Sequence, residues 1–85
     1  MEEFKYVITD KLGIHARPAG QLVKTAKSYS SKITLNVGEN SAEATKLMAI
    51  MALGAQIGTE VHVTAEGTDE AEACKAMKIF FAQNF

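Results

Sequence analysis

One histidine, one arginine and one proline stand in close succession in the run GIHARPA at residues 13–19. The chemistry these types suggest is capture of an anion followed by attack on it. A neutral imidazole is a competent nucleophile near pH 7, since its unperturbed pKa is about 6.5. Pro18 suits the first turn of a helix, where its missing N–H costs nothing, so His15 falls just after a turn and just before a helix start. Such a start offers unpaired N–H groups and a partial positive charge. Arg17 adds a fixed charge whose donors fit phosphate oxygens. Residue types alone leave two uses of His15 open: a surface or capping residue, or a nucleophile with an anion cradle at Ala16, Arg17 and Pro18.

The elements that must position this run follow from the hydrophobic periods. Phe4, Tyr6 and Ile8 alternate with Lys5, Val7 and Thr9 as in a strand, and residues 10–13 break the pattern. From Ala16 the spacing of Ala19, Leu22, Val23 and Ala26 is helical, with Gln21, Lys24 and Lys27 opposite. Ile33, Leu35 and Val37 alternate again, and Gly38, Glu39 and Asn40 predict a turn into a short return strand over 41–44. Leu47, Met48, Ile50, Met51 and Leu53 predict a short apolar helix ended by Gly54. Val61, Val63 and Ala65 alternate with Glu60, His62 and Thr64 in a fourth strand. A last helix is expected from near Asp69, with Asp69 and Glu72 as a capping-box pair and Ala73, Cys74, Met77, Phe80 and Phe81 on its buried side. The order β-α-β-β-α-β-α buries a core only as two layers. The expected class is therefore α+β, an open-faced β-sandwich with a four-stranded, mainly antiparallel sheet and three helices on one face.

Size and charge narrow the function. The 85 residues suffice for one domain, 1–85, and 47% of them are hydrophobic. Nine basic and ten acidic side chains leave a net charge of −1, which argues against a nucleic-acid partner, as does the lack of aromatic platforms for bases. No apolar run approaches the roughly 20 residues needed to span a bilayer. The opening MEEFKYVITD lacks the basic start and apolar run of a signal peptide, and the single Cys74 has no partner for an internal disulfide. A cytoplasmic address and no direct membrane insertion are expected. Two histidines and one cysteine far apart give no metal spacing. No arrangement suggests a hydrolytic triad, and no cofactor or metal is expected.

The run GIHARPA resembles the active-site segment of the HPr family, the histidine-containing phosphocarriers of the bacterial sugar phosphotransferase system. The likeness extends through TKLMAIMALG (45–54) and AEGTDEAEA (65–73) to the length and element order of the whole chain. It implies that His15 is phosphorylated on Nδ1 by Enzyme I, which draws the group from phosphoenolpyruvate. The group then passes to the A domain of a sugar-specific Enzyme II, with Arg17 steadying it. The protein would then be a carrier rather than an enzyme. Nothing in the sequence demands more than a monomer. The alternative is a regulatory interaction module of the same fold, in which phosphorylated His15 is a signal.

The same resemblance makes Leu47, Met48 and Met51 a docking patch, where flexible Met side chains suit several partners. Periodicity alone leaves open that all of the second helix's apolar residues are core. Gly20 either is tolerated at a cost of about 1 kcal/mol against Ala or lets a partner helix approach closely. Lys24 and Lys27 either meet acidic partner surfaces or are ordinary solvated lysines with no specific role. Many family members carry a regulatory serine where this chain has Lys46, so serine-type phosphorylation is expected to be absent. Thr45 is left as a possible helix cap one residue earlier. His62 reads as a solvent-facing strand residue, and Cys74 as a buried thiol.

Overall fold

The computed structural model describes residues 1–85. The alternating runs form four strands: β1 (Glu2–Val7), β2 (Lys32–Val37), β3 (Asn40–Glu43) and β4 (Glu60–Glu66). The helical runs form α1 (Ala16–Lys27), α2 (Leu47–Ala52) and α3 (Glu70–Asn84). The strands make one sheet in the order β1-β4-β2-β3. Every pairing in it is antiparallel, where the sequence predicted a mainly antiparallel sheet.

Register puts like with like across the sheet. Phe4, Val63, Leu35 and Ala42 lie side by side on the inner face, and Lys5, His62, Asn36 and Ser41 in the next row on the outer face. A two-residue period dictates that separation. Helices cover the inner face only: α3 packs on β1 and β4, α2 on β3, and α1 on both other helices. Leu22, Leu35, Ile50, Val61, Val63, Met77 and Phe81 are fully buried between the layers. The Phe81 ring meets Phe4, Tyr6 and Phe85 edge-on, at centroid distances of 5.8, 5.7 and 5.1 Å. That is the arrangement ring quadrupoles favour. Phe80, expected in the core, is half-buried against Phe85.

The start of α3 departs from the capping box expected of Asp69 and Glu72. Asp69 holds the N-cap position, and its carbonyl accepts the Ala73 N–H at 2.9 Å, but its side chain makes no bond to its own helix. Its carboxylate instead accepts the N–H of Ser30 at 2.8 Å, the N–H of Ser31 at 2.9 Å and the Ser31 hydroxyl. Glu70, not Glu72, reaches back, accepting the Gly67 N–H at 3.2 Å. The cause is the close approach of the α1–β2 loop to Gly67. A Cβ on Gly67 would lie 2.7 Å from Ser31 Cα, so the loop's amides come within hydrogen-bond reach of the Asp69 carboxylate. Asp69 thus ties the loop to the helix.

Candidate functional site

The site begins with how the chain enters α1. The β1–α1 loop is held from three sides by backbone hydrogen bonds. The Ile8 N–H donates to the Thr59 carbonyl at 2.9 Å, and the Thr9 and Asp10 N–H groups both donate to the Phe85 carbonyl oxygen, at 2.6 and 2.8 Å. The Ile14 N–H donates to Ala55 O at 3.0 Å. Gly13 makes the last contact feasible: its φ is +66°, and a Cβ there would sit 2.3 Å from Ala55 O. Only glycine takes that conformation at such a distance without strain.

His15 emerges from this loop as the N-cap of α1, in extended conformation (φ −104°, ψ 168°), with no capping bond from its side chain. Its carbonyl accepts the Ala19 N–H at 3.0 Å, leaving the Ala16 and Arg17 N–H groups with no partner in the protein. Pro18 has none to offer. No acidic residue occupies the first turn, so no side chain of the helix itself offsets its positive end. The run of sequence from Ala16 to Pro18 therefore does form the predicted helix start.

In front of it lies a cavity of about 320 Å³ lined by Asp10, His15, Arg17, Pro18, Gln21, Gln83 and Asn84. The His15 side chain is 34% exposed, and its Nε2 lies 3.9 Å from Asp10 Oδ2. Arg17 is exposed and makes no ion pair, so its guanidinium is free for an incoming anion. The arrangement offers an accessible nucleophile, a helix terminus and a cation around one polar cavity. That combination is suited to a charged group at an open surface rather than to an enclosed small molecule. No three His, Cys, Asp or Glu side chains converge as a metal centre requires.

Asp10, Gln21, Gln83 and Asn84 escaped the sequence reading. Asp10 read only as the end of a strand, and Gln83 and Asn84 sit at the far end of the last helix with no local mark. The sequence places Gln21 only on the polar side of α1.

The remaining predicted residues are distributed over α1 and α2. Gly20 is half-buried, and a Cβ there would meet nothing within 4 Å, so packing within the chain does not demand glycine. Lys24 and Lys27 are exposed on the last turns of α1. On α2, Ile50 is 1% exposed and Met48 79%, with Leu47 exposed and Met51 half-buried. Only Ile50 is therefore fully core, against the reading in which all five apolar residues are. Lys46 is itself the N-cap of α2 and gives no side-chain cap; Thr45 does not cap the helix, because α2 starts one residue too late for its hydroxyl. His62 lies on the outer face, half-buried, its Nε2 paired with Glu3 Oε1. Cys74 is buried, and burial pushes its thiol pKa up.

Residues 2–83 match the family model described as the PTS HPr component phosphorylation site. The phosphocarrier protein HPr of Mycoplasma capricolum subsp. capricolum is 41% identical over 78 residues, covering 92% of this chain and 88% of that protein. Among solved structures, a mycoplasma histidine-containing phosphocarrier protein superposes with a TM-score of 0.93 at 38% identity, covering 96% of this chain and 93% of the other. HPr from Thermoanaerobacter tengcongensis gives 0.92 at 40% identity, over 98% and 93%. Bacillus subtilis Crh, solved as an intertwined, domain-swapped dimer, gives 0.78 at 31%, over 98% and 95%.

Proposed function

The chain belongs to the HPr family of phosphotransferase-system phosphocarriers, and from that premise we propose that His15 accepts a phosphoryl group from phospho-Enzyme I and passes it to the A domain of a sugar-specific Enzyme II. One observation carries the reading: His15 occupies the N-cap of α1, beside the unpaired N–H groups of Ala16 and Arg17 and in one cavity with the Arg17 side chain. In loading, the Nδ1 lone pair forms a bond to phosphorus while the bond to the donor breaks and its electron pair leaves with the donor. Arg17 and the helix start stabilise the phosphoryl oxygens during transfer. The second transfer reverses these roles. The protein's own contribution is position and charge, so it is a carrier whose loading Enzyme I catalyses.

Leu47, Met48 and Met51, with Gly20, Lys24 and Lys27, supply the docking face for both partners in this proposal. Exposed Met48 and an unfilled space above Gly20 support it. Lys46 offers no hydroxyl, which supports the absence of serine-type regulation. The carrier acts as a monomer in the cytoplasm on this reading; no helix is long and apolar enough to cross a membrane. The test is transfer of label from phosphoenolpyruvate by purified Enzyme I, comparing wild type with His15→Ala. Acid-labile label on the wild type alone, chased onto an Enzyme II A domain, is expected. Label that loads and then fails to pass on would favour the signalling module instead.

A further inference from the structure

Asp10 is the one acidic side chain in the His15 cavity, and its carboxylate is held in a fixed orientation. Oδ1 accepts the Leu12 N–H at 2.8 Å, while the Asp10 N–H donates to Phe85 O at 2.8 Å. This leaves Oδ2 to face His15 Nε2 across 3.9 Å, a separation suited to an ion contact or one bridging water rather than a direct hydrogen bond. The other residues lining the cavity are Arg17, Pro18 and Gln21 from α1, and Gln83 and Asn84 from α3. Of these only Arg17 is charged. A negative charge facing Nε2 favours the proton on that nitrogen.

We propose that Asp10 is a positioning residue for His15, holding a proton on Nε2 so that Nδ1 is kept as the nucleophile and the phosphohistidine is kept ready to react. The proposal rests on the phosphocarrier reading above. With Nε2 protonated, the Nδ1 lone pair attacks phosphorus directly, and the phosphorylated ring is a cation whose remaining N–H faces Asp10. In the onward step an acceptor lone pair forms the new bond to phosphorus. The electron pair of the P–Nδ1 bond returns to Nδ1, and neutral imidazole leaves with its proton still on Nε2. No proton moves in either direction. Without the carboxylate the phosphorylated ring loses its Nε2 proton more readily, and its departure as an anion is much harder.

Asp10→Asn keeps the acceptor for the Leu12 N–H while removing the charge, so the loop's own geometry is retained. Two readings on wild type and D10N test the idea. Nitrogen-15 shifts of the unphosphorylated ring report its tautomer, and the rate of phosphohistidine hydrolysis against pH reports protonation of the loaded ring. D10N is expected to lower the Nε2–H to Nδ1–H ratio by about threefold to fivefold, and to move the protonation limb of the hydrolysis profile to lower pH by about half a unit. Unchanged tautomer and unchanged profile in a folded variant would overturn the role of Asp10. Failure of both proteins to accept label would instead overturn the phosphocarrier reading, and the tautomer comparison would still decide Asp10.

Discussion

At the scale of single residues, the proposed transfer divides the work between His15 as nucleophile and the groups that would tolerate the charge it receives. Arg17 is exposed, unpaired and placed in the second position of α1, so on the proposed reading its removal would subtract transition-state stabilisation without leaving a hole. Arg17→Ala is expected to lower kcat/KM for loading by Enzyme I by roughly 10²-fold, the scale set by removing one preorganised donor. The thermal midpoint should stay within about 1–2 °C of wild type, since the side chain is exposed and makes no ion pair. Arg17→Lys should recover only part of the rate, because an ammonium lacks the planar fork that grips two oxygens at once. Steady-state transfer assays with calorimetry on the same samples check both halves. A large drop in stability would mean that Arg17 supports the fold rather than the transfer.

At the scale of elements, Asp69 shows one side chain joining two segments that share no secondary structure. The Ser31 hydroxyl and the Ser30 and Ser31 N–H groups all donate to its carboxylate, and they hold its pKa below the usual carboxylate value. A group whose folded pKa is depressed stabilises the fold above its unfolded pKa, about 3.9 for Asp. That contribution disappears as pH falls through the lower, folded value. Wild type is therefore expected to be more stable than Asp69→Asn at neutral pH, with the gap closing as the solution is taken below about pH 4. Thermal melts of the two proteins across pH 2–7 read this directly. A gap independent of pH would assign the tie to shape rather than to charge.

At the scale of the whole molecule, the core and the site are mechanically one object. Phe81 is fully buried against Phe4, Tyr6 and Phe85, and the Phe85 carbonyl holds the amides of Thr9 and Asp10 beneath His15. Phe81→Ala should cost about 3–5 kcal/mol of stability, as for other large cavities. In denaturant titrations transfer activity should fall together with the far-ultraviolet signal, because the loop is tied to the same core; activity lost at lower denaturant would separate the loop from the core. The sequence by itself determined the element order, the inner and outer faces of each strand, and the helix start at His15, Arg17 and Pro18. These depend on periods and backbone preferences acting over a few neighbouring residues. Only the tertiary structure decided that β4 lies between β1 and β2, that Asp69 serves the loop rather than its helix, and that Asp10, Gln83 and Asn84 share the cavity of His15. Such contacts exist only once the sheet has closed and brought distant segments together, and no local pattern of residues records where the chain will meet itself.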